Sequence, residues 1–231
     1  MKTSGAVLLA GATGLVGGRV LARLLETADG PRVLAPVRRP LARSHPRLAA
    51  WVGDPAAGDE DALRAQLAGL EPRVAAFVCC LGTTIRDAGS REAFVAVDRE
   101  LVLRLGRIAR ELGAVHAVLV SSVGASAQSG NFYLRVKGES ERGLSALGFA
   151  RVDILRPGLL LGERAQRRST ERLAQTLAPA FNPLLRGRLS RYRAIAADDV
   201  ATAAVALLAQ DSDGTFVHEH ASLSGLAAIA G

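Results

Sequence analysis

The sequence predicts one α/β domain: a doubly wound, mostly parallel sheet with helices on both faces and a small C-terminal substrate-side cap. Three observations carry this expectation. Short aliphatic runs alternate with longer amphipathic stretches from residue 6 onward. The short runs are apolar throughout, as strands covered on both faces are, rather than alternating apolar and polar. A glycine-rich turn joins the first run to the first amphipathic stretch. At 231 residues the chain can bury one sizeable core. Residues 1–160 are assigned to the cofactor-binding core, and 161–231 to the cap and a C-terminal helix.

Taken in order, residues 6–10 read as a first buried strand and 15–26 as a helix. Residues 32–37 form a second strand and 48–52 a short third, before a helix over 59–70 and a strand over 74–80. Residues 91–112 carry Phe94, Val97, Leu101, Leu105 and Ile108 at helical spacing. A strand over 115–121, a helix over 131–147 and a strand over 152–155 follow, with Gly113 and Gly148 placed to end helices. Beyond Arg156 the pattern loosens into an Arg-rich segment, a helix over 198–209 and a small polar tail.

The formal charge is +7 and the pI near 10.6. The arginines are dispersed, with denser groups at 164–172 and 186–193, and no aromatic-interleaved recognition motif accompanies them. This basicity implies solubility and weak polyanion attraction, not a nucleic-acid partner. Cys79 and Cys80 are neighbours in a strand and point to opposite faces, so they are poorly placed to bond each other. With no disulfide framework the chain suits a reducing compartment. It has no apolar leader and no run of the roughly 20 apolar residues a membrane helix needs. A cytoplasmic protein without a membrane or metal role is expected, as monomer or homodimer. His218-Glu219-His220 is taken as part of the solvated tail, since no further ligands stand near it.

The chemistry concentrates at strand ends. The first strand runs into Gly11-Ala12-Thr13-Gly14-Leu15-Val16-Gly17. Glycines at this spacing let the backbone turn tightly, approach a pyrophosphate and seat the new helix on the sheet. The helix N-terminus then faces the phosphates. The second strand ends in Arg38-Arg39, where an NAD-preferring site would carry an acid for the ribose. Two guanidiniums suit a 2′-phosphate, so the cofactor expected is NADP(H). Asp54 follows the third strand on the adenine side, close to Trp51, the sole tryptophan. Cys80-Leu81-Gly82-Thr83 ends the fourth strand and should line the cofactor by its backbone.

Of the 29 basic residues only Lys2 and Lys137 are lysines. Lys137 stands four residues after Tyr133, one of two tyrosines, so the two share a helix face. A phenol is a weak base at neutral pH, and a neighbouring ammonium favours its ionised form. The fifth strand ends in Ser121-Ser122, either of which could orient a substrate carbonyl. Arginines 164, 167, 168, 186, 188, 191 and 193 in the cap form a solvated face or meet an anionic substrate.

In order, the glycine turn, Arg38-Arg39, Cys80-Leu81-Gly82-Thr83-Thr84, Ser121-Ser122-Val123-Gly124, Tyr133-Leu134-Arg135-Val136-Lys137-Gly138-Glu139 and Arg156-Pro157-Gly158 resemble the atypical short-chain dehydrogenase/reductases. Phe94-Val95-Ala96-Val97-Asp98-Arg99 adds a likeness to the Tat-interactive protein subgroup. The resemblance spans about residues 5–162. It implies a Rossmann fold, NADPH binding, Tyr133 as proton donor and acceptor beside Lys137, and Pro157-Gly158 near the nicotinamide carboxamide. The function expected is hydride transfer between nicotinamide and a carbonyl or alcohol substrate. An NADP(H)-binding regulator is the alternative, and a sugar-nucleotide epimerase or dehydratase stands last, because few residues remain after Arg156 for a large substrate domain.

Overall fold

A computed structural model describes residues 5–71, 73–162, 185 and 187–230. Seven strands pair in the order β3-β2-β1-β4-β5-β6-β9, and every pairing is parallel. They are β1 (Ala6–Ala10), β2 (Val33–Val37), β3 (Leu48–Val52), β4 (Val74–Cys79), β5 (His116–Val120), β6 (Arg151–Leu155) and β9 (Gly214–His218). A two-stranded parallel pair, β7 (Leu160–Leu161) and β8 (Ile195–Ala196), lies beyond β6. The central strands β1, β2, β5 and β6 are buried along their whole length, which is why their sequences show no alternation.

One face is covered by α1 (Leu15–Glu26), α7 (Ala197–Leu207) and α8 (His220–Ala230). The other carries α2 (Glu60–Leu70), α5 (Val102–Glu111) and α6 (Phe132–Ser145). Short helices α3 (Ile85–Ala88) and α4 (Arg91–Val95) lead from β4 toward α5. Asp59 and Asn131 start α2 and α6 by accepting the N–H groups of Ala62 and Leu134. Cys79 belongs to one apolar layer and Cys80 packs against the other, as neighbours in a strand must.

Strand order reverses at β1: the chain winds outward to β3, then returns to lay β4 on the opposite side of β1. The Cys80 N–H donates to the Ala10 carbonyl (2.9 Å), so the loops after β1 and β4 leave the sheet side by side. Such a reversal opens a crevice at the carboxyl ends of the strands, where ligands of this architecture bind.

Two segments differ from the sequence expectation. The helix expected over 91–112 widens into a π-helical segment, Ala96–Leu101, between α4 and α5. The expected polar tail is instead an ordered strand and helix, β9 and α8. β9 is a sheet edge with alternate residues exposed, so Thr215-Phe216-Val217 lacks the continuous apolar signature of the inner strands. Thus the segment assigned to a cap supplies the seventh strand and the helix packed on α1. Arginines 164, 167, 168 and 186 lie outside the described residues, as does the Arg188 side chain.

Candidate active site

The turn after β1 is built by exclusion. Gly11 has φ +80, and a Cβ there would lie 2.7 Å from the carbonyl carbon of Cys80. A Cβ on Gly17 would lie 2.1 Å from the Gly11 carbonyl oxygen. Helix α1 therefore seats directly on the turn, closer than any side chain allows. The Gly14 N–H donates to the Gly11 carbonyl (2.9 Å), and Gly14 caps α1 without a side chain. No acidic residue stands in the first turn of α1. Thr13 and Gly14 are exposed, Ala12 and Val16 buried, and Leu15 half-buried. A bare helix N-terminus beside a glycine cradle fits a pyrophosphate.

Arg38 and Arg39 are exposed at the end of β2 and have no ion-pair partner among the described residues. By contrast, Arg47, Arg104, Arg107 and Arg156 close onto carbonyls or carboxylates. The Gly53 N–H donates to the Val37 carbonyl (2.9 Å), bringing the end of β3 beside that of β2. Exposed Asp54 follows, and its carboxylate accepts from the Ala56 N–H at 3.0 Å. Trp51 on β3 donates its indole N–H to Gln66 at 2.9 Å.

The third part of the site lies between β4, the π-helical segment and α6. Lys137 is buried, with Nζ 2.7 Å from Oδ1 of the fully buried Asp98. The other Asp98 oxygen accepts the Thr83 N–H at 2.9 Å. A Cβ on Gly82 would approach Lys137 Nζ to 3.4 Å, so the Gly82-Thr83 backbone lies directly over the ion pair. Ser140 on α6 donates to the Asp98 carbonyl, tying the widened helical turn to the helix that carries Lys137. Burial is the largest influence on the ammonium and opposes its charge. The attraction of Asp98, reinforced by Tyr133, outweighs burial and holds Lys137 above the usual lysine range. One turn earlier on α6, the half-buried Tyr133 ring rests 5.5 Å from the fully buried Phe94 ring, centroid to centroid.

The two serines differ. Buried Ser121 donates its hydroxyl to Glu141, whose carboxylate also receives both arms of Arg156. Ser122 is half-buried, and its hydroxyl has no partner among the described residues. Pro157 and Gly158 border the same turn: the Val123 N–H donates to the Pro157 carbonyl at 3.0 Å. Burial pushes the Cys79 thiol up to about 12 and raises Cys80 as well, so neither is a ready thiolate. Leu81 is half-buried, beyond Cys80.

Sequence reasoning missed Asp98 as a site residue. Its signal was a carboxylate on the apolar stripe of Phe94, Leu101 and Leu105, a position that demands a buried partner. It also misplaced His218, which is held in the sheet rather than solvated. Its Nε2 lies 2.7 Å from Asp153, and His116 Nε2 lies 2.7 Å from the other oxygen of the same carboxylate. Among the described residues no cluster of His, Cys, Asp or Glu could hold a metal.

A family model described as NAD(P)H-binding matches residues 11–211. Protein fmp52, mitochondrial, of Aspergillus clavatus is 38% identical over 203 residues, covering 86% of this chain and 85% of that protein. Protein FMP52, mitochondrial, of Lodderomyces elongisporus is 31% identical over 231 residues, 96% and 94% of the two. Protein HTATIP2 of Rattus norvegicus is 46% identical over 97 residues, 42% of this chain and 40% of that one. Among solved structures, MoeE5 in complex with UDP-glucose and NAD superposes with a TM-score of 0.67 at 18% identity, over 92% of this chain and 75% of that one. A short chain dehydrogenase family protein of Francisella tularensis gives 0.68 at 15% identity, over 98% and 100%. These likenesses show the fold.

The fungal relatives overturn the expected cytoplasmic location, since their names place them in mitochondria. The absence of an apolar run bears only on secretion and membrane spanning, and amphipathic, Arg-rich targeting segments carry no such run. No helix among the described residues is long and apolar enough to cross a membrane.

Proposed function

The chain belongs to the NAD(P)H-binding family and, within it, to the atypical short-chain dehydrogenase/reductases; from that premise we propose an NADP(H)-dependent oxidoreductase acting on a carbonyl or alcohol substrate. The observation that carries this reading is the buried Lys137–Asp98 pair under the Gly82-Thr83 backbone, one turn from Tyr133. A buried ion pair costs several kcal/mol of desolvation per ion before its attraction is counted. Its place at the carboxyl edge of the sheet argues for a role in the site rather than in the core.

A dinucleotide held there would supply or receive the hydride, and the residues of this chain would handle the proton. In the reducing direction the Tyr133 hydroxyl gives its proton to the substrate oxygen, and in the oxidising direction the phenolate takes it back. Lys137 holds positive charge beside that phenol in either direction, and Asp98 fixes where the ammonium stands. Ser122 is the better placed serine to donate to the substrate oxygen, because the Ser121 hydroxyl is already given to Glu141. The backbone of residues 11–17 and the N-terminus of α1 would hold the pyrophosphate, and Gly82-Thr83 and Pro157-Gly158 would line the nicotinamide end. Arg38 and Arg39 would select the 2′-phosphate, and Asp54 would serve the adenine side.

The test is Tyr133→Phe. NADPH should still bind, read by Trp51 emission or calorimetry, while NADPH consumption across a panel of carbonyl compounds falls to background. An unimpaired rate in the variant would overturn the acid–base assignment.

A further inference from the structure

Tyr192, the second of the two tyrosines, ends the short 3-10 helix Gly187–Tyr192 and is 41% exposed. Its hydroxyl stands at the turn that follows β5. A Cβ on Gly124, which has φ +80, would lie 3.9 Å from that hydroxyl and 3.6 Å from a methyl of Leu134. Gly124 comes two residues after Ser122, and Leu134 directly follows Tyr133. The phenol of Tyr192 therefore stands over the turn that leads from Ser122 toward α6, the helix that carries Tyr133.

Three contacts keep it there. Gly158 seats its backbone against this segment, and a Cβ on it would meet the Arg193 and Tyr192 carbonyl oxygens at 2.4 and 2.9 Å. The Ile195 N–H donates to the Leu159 carbonyl at 2.9 Å, and β8 then pairs with β7. Arg191 lays its guanidinium 5.0 Å from the Tyr192 ring centroid and donates to the phenol oxygen at 3.3 Å. With that oxygen accepting from a cation, the phenol proton is left to donate outward, and such a donor is stronger than an unassisted phenol. No protein acceptor takes it among the described residues.

We infer that Tyr192 is a specificity-determining residue whose hydroxyl donates to a second oxygen of the substrate. The site then favours oxygenated carbonyl compounds (keto ethers, keto esters, keto acids) over plain ketones and aldehydes. The inference rests on the reading of Tyr133 and Ser122 as the reacting end, and it requires no anionic group.

The probes are methoxyacetone and methyl propyl ketone, which differ by an ether oxygen in place of a methylene. The protein loaded with NADP+ is titrated with each by NMR, so no turnover is needed. Wild type should bind methoxyacetone about tenfold more tightly, the scale of one assisted hydrogen bond. Tyr192→Phe should erase that preference while leaving the Kd of methyl propyl ketone unchanged. Equal affinities in wild type, a preference that survives in Tyr192→Phe, or binding of neither compound would each overturn the inference. Tyr133→Phe, titrated in parallel, separates the two claims: it should keep the preference, and its turnover alone reports on the acid–base reading.

Discussion

Asp98→Asn isolates the buried ion pair on which the proposed function rests. The substitution keeps the shape and can still accept the Thr83 N–H, but it removes the charge 2.7 Å from Lys137 Nζ. At that separation and an effective dielectric near 20, the lost attraction is about 6 kcal/mol. Part of it is offset because one ion no longer needs desolvating. Breaking a buried pair by removing one partner leaves a net cost of about 3–5 kcal/mol. For a chain of this size that lowers Tm by roughly 6–20 °C. The Lys137 side chain is 7% exposed, so burial, the largest influence on it, then acts against its charge with only Tyr133 and Cys79 in opposition. Its titration must move down. In wild type Lys137 stays charged through the neutral range, and kcat/KM should show no loss from this group as pH rises there. In Asp98→Asn a basic limb should enter from the alkaline side, with activity falling as pH increases. Urea denaturation gives the first quantity and a pH series of kcat/KM the second. An unfolding free energy within about 1 kcal/mol of wild type, with a superimposable pH profile, would refute the argument that Asp98 holds Lys137.

Arg38→Ala and Arg39→Ala should each weaken NADPH by about tenfold to hundredfold and leave NADH unchanged, as calorimetry would register; equal losses for both cofactors would remove the 2′-phosphate assignment. Gly17→Ala forces a methyl to 2.1 Å from the Gly11 carbonyl, so it should destabilise by about 1–3 kcal/mol and lose dinucleotide binding, checked by melts with and without NADPH. Asp153 concerns acid stability. Burial opposes its charge, but His116, His218 and Arg151 together hold its carboxyl well below the usual range. A depressed carboxyl stabilises the fold above its unfolded pKa of about 3.9, and that contribution fades as pH falls through and below this value. Asp153→Asn should therefore cost about 3–5 kcal/mol near neutrality and flatten the acid limb of the stability curve in urea titrations.

The Rossmann sheet was legible because its inner strands are apolar without alternation and because only glycine satisfies the distances around Gly11 and Gly17. The positions of Tyr133 and Lys137 on one helix face were legible from their spacing. Two parts were hidden for definite reasons. The Lys137–Asp98 contact depends on a helix that widens by a π turn, and a periodicity read at 3.6 residues per turn does not register such a change. β9 is an edge strand whose outer residues face solvent, so its composition reads as a tail. Which of Ser121 and Ser122 has its hydroxyl engaged was hidden too, since it turns on a bond to Glu141, twenty residues away.

The parallel order of the sheet bears on how the chain acquires its structure. β1 lies inside the sheet, and one of its two neighbours, β4, arrives some seventy residues later. β9, formed near the end of the chain, must find β6 across a loop of sequence nearly as long. Closing such loops before any contact rewards them makes folding slow. During synthesis the glycine turn would be complete well before the strand that seals the sheet. Until β9 docks, Asp153 lacks His218, and Arg151 lacks both Ser212 and the ring of Phe216. A buried carboxylate short of one donor is thus the state a nascent or C-terminally shortened chain must pass through, and docking of β9 is the step that relieves it.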